Sequence, residues 1–186
     1  MNKYDFRFDT ELFNSFIGKN FTKYKREQFI LKNTSTCILG FEIDGHVYGL
    51  TNDYEGFDYL SIDDEGIVFQ ISEMDWNKVD SMIGEGIKEE IINEKIDKVI
   101  LVNDHTTLKK DNQTEYDMWE TKAIVFYFKD YELCYAKEDC WLSMEIEIHK
   151  GKDLLNKISD GKGLLSDIDF DESNSISIER KFVELK

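Results

Sequence analysis

The stretch ILGFEIDGHVYGLTNDYEGFDYLSIDDEGIVFQISEMDW, residues 38–76, decides how the rest of the chain is read. Its first part alternates apolar and polar side chains with the period of two that belongs to a half-buried strand. Asp44-Gly45 supplies the two residues that a tight hairpin turn demands. Strands over 38–43 and 47–50 are therefore predicted, followed by a loop over 51–58, a short strand at 59–62, a turn at 63–66 and a strand at 67–71. The stretch is also charged in one sense: between Cys37 and Asp80 stand eleven carboxylates and a single base, Lys78.

Upstream, residues 1–36 form the only basic region, with seven bases and four acids. Asp9 or Thr10 can cap a short helix over 11–17 that places Phe13, Phe16 and Ile17 on one face and stops at Gly18. Residues 21–31 read as extended. Downstream of Asp75 the period lengthens toward 3.6, and Val79, Ile83, Ile87, Ile91 and Ile92 fall on one helical stripe that Gly84 and Gly86 weaken. KVILV at 98–102 has the β-branched, unbroken apolar character of a buried strand, and the polar run 103–117 reads as a loop. A second hairpin joins 121–128 to 132–137 across Lys129-Asp130. Another strand at 142–149, a short helix at 153–158 and a closing strand at 176–185 complete the chain. Strands that come in runs joined by tight turns, with two or three helices set apart, predict an α+β fold. The expected architecture is a single domain over 1–186 with a mainly antiparallel sheet.

At 186 residues, 41% hydrophobic and 13% aromatic, the chain can bury enough apolar surface to offset its conformational entropy. No window approaches the ~18 apolar residues of a membrane span, and the start MNKYDFRFDTELF lacks the layout of a signal peptide, so the expected location is the cytoplasm. Cys37, Cys134 and Cys140 are odd in number and show no CxxC spacing, which fits reduced thiols. A formal net charge of −16 repels nucleic acid and anionic membranes. The expected partner is a basic protein, with no direct contact to nucleic acid or membrane.

The residues with chemical potential do not assemble into a signature. Asp53, Glu55, Asp58, Asp63 and Asp64 could pair as general acid and base, but in a segment so rich in acids no spacing selects a pair. Asp167, Asp169 and Asp171 match the first positions of a calcium loop, yet Glu172 stands where glycine is needed and Ile178 where the bidentate glutamate belongs. His46, His105 and His149 lie far apart without zinc-site spacing. Cys37 or Cys140 could meet His149 only in space. Gly84-Glu85-Gly86 and Gly161-Lys162-Gly163 lack the rest of a phosphate-binding loop, and the basic run KNFTKYKR at 19–26 sits in a chain whose charge opposes nucleic acid. No catalytic residue, metal ligand or cofactor is assigned, and the chain is not expected to be an enzyme.

The composition of an interaction surface remains. Asp53, Tyr54, Glu55, Phe57, Asp58 and Tyr59, continued by Asp63, Asp64 and Glu65, mix carboxylates that suit Arg or Lys with aromatics that give contact area at low entropy cost. A second cluster over 131–141, with Asp139 and Trp141, joins them if the two hairpins are neighbours. In this acidic, single-domain character the chain resembles bacterial immunity proteins, which neutralise a cognate toxin, often a basic nuclease, delivered by contact-dependent inhibition or a related secretion system. The resemblance lies in the general character of the whole chain and carries no individual residue role. It implies an antitoxin that covers the active site or substrate surface of a cationic toxin domain. Three other readings compete with it: a phage-encoded acidic mimic of nucleic acid that inhibits a host enzyme, a hydrolase or metal-dependent enzyme whose site is assembled in space, and a structural subunit of a larger assembly.

Overall fold

The computed structural model describes residues 1–27, 33–60, 63–81, 84, 86–138, 140, 143–161 and 174–186. The Asp44-Gly45 turn forms as read, with both residues at positive φ (49° and 82°), joining β4 (Ile38–Ile43) to β5 (His46–Tyr59) in the register Ile43↔His46. β5 does not stop at Leu50. It runs on through the predicted loop to Tyr59, 14 residues in all, and pairs antiparallel with β6 (Asp63–Glu73). On the other side of β4 lie β2 (Asn20–Glu27) and then β7 (Ile87–Lys95), giving a five-stranded sheet in the order β6-β5-β4-β2-β7.

The second sheet is built on two long strands, β8 (Lys98–Lys110) and β9 (Gln113–Tyr127), joined through Asp111 and Asn112 at φ 49° and 63°. Beside β8 lies β12 (Asn174–Leu185). Beyond β9 come β10 (Glu132–Lys137), β11 (Glu145–Gly151) and β3 (Thr34–Thr36), while β1 (Asn2–Phe6) lies parallel to β9 next to its first half.

The sheets face each other across one core. Phe21, Phe41, Tyr48 and Leu50 from the first sheet meet Leu101, Ile124, Phe126 and Tyr135 from the second. The one α-helix among the described residues, α1 (Thr10–Asn14), is capped by Asp9, whose side chain accepts from the Glu11 N–H. It carries Phe13 toward Phe126 (6.5 Å), and just beyond it Phe16 packs on Tyr48 (4.9 Å). KVILV is buried on both faces as expected. Val99 and Leu101 enter the main core, while Ile100 and Val102 form a second cluster under Leu154 and Ile158.

The α+β expectation is overturned: among the described residues the protein is nearly all β, a two-sheet sandwich with one five-residue helix and two short 3-10 turns. Of the stripe read as a helix, Ile87, Ile91 and Ile92 lie in β7, Val79 follows a 3-10 turn at Trp76–Lys78, and Ile83 lies outside the described residues. The isoleucines of β7 are β-branched and suit a strand, and its charges pair across to the basic β2, with Lys25 opposite Glu89 and Arg26 bonded to Glu90 at 3.1 Å. Ile91, a member of the supposed buried stripe, is 62% exposed. The predicted loop at 103–117 is the strand pair β8-β9. Its polarity comes from one half-exposed face, with His105 and Thr107, opposite a buried face with Thr106 and Leu108. The helix at 153–158 is a 3-10 turn, Leu154–Lys157, and the calcium-like aspartates at 167–171 lie outside the described residues.

The chain after β6 crosses back over the outer face of the first sheet, and glycines let it lie close. A Cβ on Gly40 would stand 2.6 Å from Cγ2 of Val79, which is 1% exposed. Val79 is β-branched and has no free rotamer to yield. Gly40→Ala is expected to lower stability by about 1–3 kcal/mol through overpacking. Gly56→Ala, where a Cβ meets nothing within 4 Å, should change it by less than about 0.5 kcal/mol. Urea midpoints of the two variants compare them directly. Acid tests the β2-β7 pairing. Burial pushes the Glu90 carboxyl up, but hydrogen bonds from Lys88, Tyr24 and Arg26 outweigh it and hold the group below its ordinary range. A carboxyl depressed in the native state contributes stability that is complete above ~4.3 and is lost as the pH falls through the native value. Glu90→Gln should therefore flatten the acid limb of a stability profile without shifting its shape near neutrality.

Candidate protein-docking face

The carboxylates singled out in the sequence are carried by the β5-β6 ribbon. Asp53 pairs with Val68, Tyr54 with Ile67, Glu55 with Gly66 and Gly56 with Glu65, so alternation sends Asp53 and Glu55 to one side and Tyr54 and Glu65 to the other. All four are exposed, Tyr54 at 42%. Gln70 donates to Glu55 at 3.3 Å.

What lies beneath fixes the ribbon. Asn52 is fully buried and its amide donates to the carbonyls of Ser143 and Glu145 at 3.1 and 3.3 Å, while its N–H reaches the Cys37 carbonyl at 2.8 Å. The segment before β11 thus sits against β5 next to Asp53. Burial, then the charges of Asp53 and Glu27, push the Cys37 thiol up. Farther along, Gly66 has no Cβ because Phe57 and Tyr59 fold across it; a Cβ there would meet Phe57 Cζ at 2.4 Å.

The aromatics divide. Phe57 lies half-buried between Tyr4 (5.1 Å) and Phe6 (5.0 Å), and Tyr59, 8% exposed, joins Leu60, Leu108, Tyr116 and Met118 in a third cluster. These two rings hold the ribbon to β1, β8 and β9, and Tyr54 is left facing out. Asp58 is half-buried and accepts from the Asn2 amide. Asp63 and Asp64 open β6, with Asp63 opposite Tyr59, and their side chains lie outside what is described. Asp139 and Trp141 also fall outside the described residues.

A second cluster escaped the sequence reading. His105 stacks on Trp119 at 4.2 Å and 6°, Arg7 and Lys181 stand 4.8 and 4.6 Å over the Trp119 ring, and His105 Nε2 meets Asp117 at 2.9 Å. The signal for it was the alternation of 103–119, hidden by its polarity. Its cations come from β12 and from the segment after β1, so it ties three strands and that segment together; Arg7 is in turn bonded to Asp5 at 2.6 and 2.8 Å. Among the described residues no group of three or more His, Cys, Asp or Glu side chains is placed to hold a metal ion, and no helix is long and apolar enough to cross a membrane.

One cation anchors the edge of the ribbon. Lys137, 7% exposed, donates to the Ile67 carbonyl at 2.6 Å and to Glu120 at 2.8 Å. Lys137→Met would leave Glu120 without its partner and is expected to cost about 3 kcal/mol. The double change with Glu120→Gln should recover most of that loss in a denaturant cycle. Set against protein-family models, curated proteins and solved structures, the chain matches none of them.

Proposed function

We propose that the protein is an immunity protein that acts in the cytoplasm and neutralises a basic toxin domain by covering its active site or substrate surface. The observation that carries this reading is the way the carboxylates are held. Asp53, Glu55 and Glu65 stand on a paired ribbon pinned by Asn52 below and by Phe57 and Tyr59 at its far end. A surface already ordered before binding loses less entropy on docking than a mobile loop would. The charge steers a cationic partner and raises the association rate, and Tyr54 supplies an amphipathic contact beside Glu65, on the opposite side of the ribbon from Asp53 and Glu55.

The test uses the basic protein that co-purifies with the chain from its native cells. Expressed alone that partner should arrest growth, and co-expression of this chain should restore it. Replacing Asp53, Glu55 and Glu65 together by Lys should slow association at low salt by about 10-fold or more and flatten its salt dependence. A partner that is harmless alone, or an association rate that ignores the triple charge reversal, would sink the proposal.

A further inference from the structure

The open edge of β6 has a polarity that can be read from one bond. Met74 N–H donates to the Val47 carbonyl at 3.1 Å, the position just beyond the pair Tyr48↔Glu73. Antiparallel ladders alternate between bonded and non-bonded pairs. Val68, Gln70 and Ser72 therefore direct their N–H and C=O groups into β5, and Ile67, Phe69 and Ile71 direct theirs the other way. Lys137 supplies an independent check, because the Ile67 carbonyl it caps points away from β5.

Among the described residues β6 pairs with β5 alone. Beyond Ile67 the outward groups of Phe69 and Ile71 have no partner among the described residues, although Phe69 is only 2% exposed. Main-chain groups so placed cost free energy unless something bonds them. Next to them opens a cleft of about 290 Å³, with Phe6, Phe8 and Leu12 as its apolar wall and Asp9 at its rim. Glu55 on Gln70 lies along the outer face and Glu73 farther along the strand, while Arg7 at the cleft is already bonded to Asp5.

We infer that an extended segment of the basic partner adds to the β6 edge at Phe69 and Ile71, entering the cleft beside Phe8 as an extra strand. This rests on the proposed function and names the mode of contact. The recognised chemistry is an extended peptide with an apolar residue toward Phe8 and Leu12 and neighbouring Lys or Arg toward Asp9, Glu55 and Glu73. Main-chain bonds give such a strand affinity, and alternate side chains give it specificity. Lys137 closes the edge at Ile67 and so sets where the added strand must end.

Two measurements decide it. By amide hydrogen exchange, Ile71 in the free chain should exchange faster than Gln70 and Ser72, and the complex should slow exchange at both Phe69 and Ile71 by at least about 10-fold. In kinetics, Ile71→Pro removes only an outward N–H and should dissociate from the partner about 10-fold faster than Ile71→Ala, which keeps it. Exchange at Phe69 and Ile71 that is unchanged in the complex overturns the inference, as does equal dissociation of the two variants. The exchange measurement uses the unaltered chain and does not depend on the proline variant folding. If the charge-reversed variant slows association while these two results are negative, strand addition falls and the immunity reading stands. If the chain binds no basic partner, both fall.

Discussion

Phe41 and Phe126 lie with their ring centroids 5.8 Å apart, one from each sheet, and Phe21 and Tyr135 close on both. The main core between the two sheets is built around this contact. Burying each such ring contributes roughly 1.5–3 kcal/mol, and edge-to-face pairs add to that. The short α1 exists in this setting: five residues could not hold a helix by themselves, but Phe13 and Phe16 give it a place in the same aromatic core. The opposite consequence is that only a few aromatics are left for the surface, and Tyr54 is one of them.

The distribution of charge follows from the same economy of strands. Several of the cations are used inside the fold. Arg180 grips Asp104 through two bonds of 2.7 and 2.8 Å, Arg26 holds Glu90, Lys137 caps an edge carbonyl, and Lys23 and Lys25 lie over Trp76. In a chain with 23 bases against 39 acids, cations committed to joining strands leave an excess of carboxylates facing outward. The β5-β6 ribbon gathers some of that excess because it extends past the main core and turns Phe57 and Tyr59 inward. Acidity and architecture are thus linked: the ribbon is charged where it faces water and aromatic where it is held.

Much of this was legible in the residues. Asp44-Gly45 and Lys129-Asp130 both sit at the turns expected of them, Asp9 caps its helix, and KVILV is buried on both faces. These are local properties, set by allowed φ values, side-chain hydrogen bonds and apolar content over five or six residues. The acidic ribbon was legible too as a composition, with Asp53, Glu55 and Glu65 reaching the surface.

The rest depended on partners far away in the chain. Periodicity could not tell the isoleucines of 87–95 from a helix, because what makes them a strand is the basic β2 more than sixty residues earlier, supplying Lys25 and Arg26 to Glu89 and Glu90. Residues 103–117 looked like a loop because one face meets water, and only the burial of Leu108, Tyr116 and Met118 under Tyr59 reveals a strand pair. Phe57 and Tyr59 looked like surface anchors for the same reason, since β1 and the β8-β9 pair that cover them are distant in sequence. The sequence by itself determined the turns at Asp44-Gly45 and Lys129-Asp130, the cap, the charge and the quantity of apolar surface, while the turn expected at 63–66 lies within β6. Only the tertiary structure decided which strands met, which aromatics were consumed in the meeting and which edge was left open, because those outcomes rest on contacts between segments that carry no local record of one another.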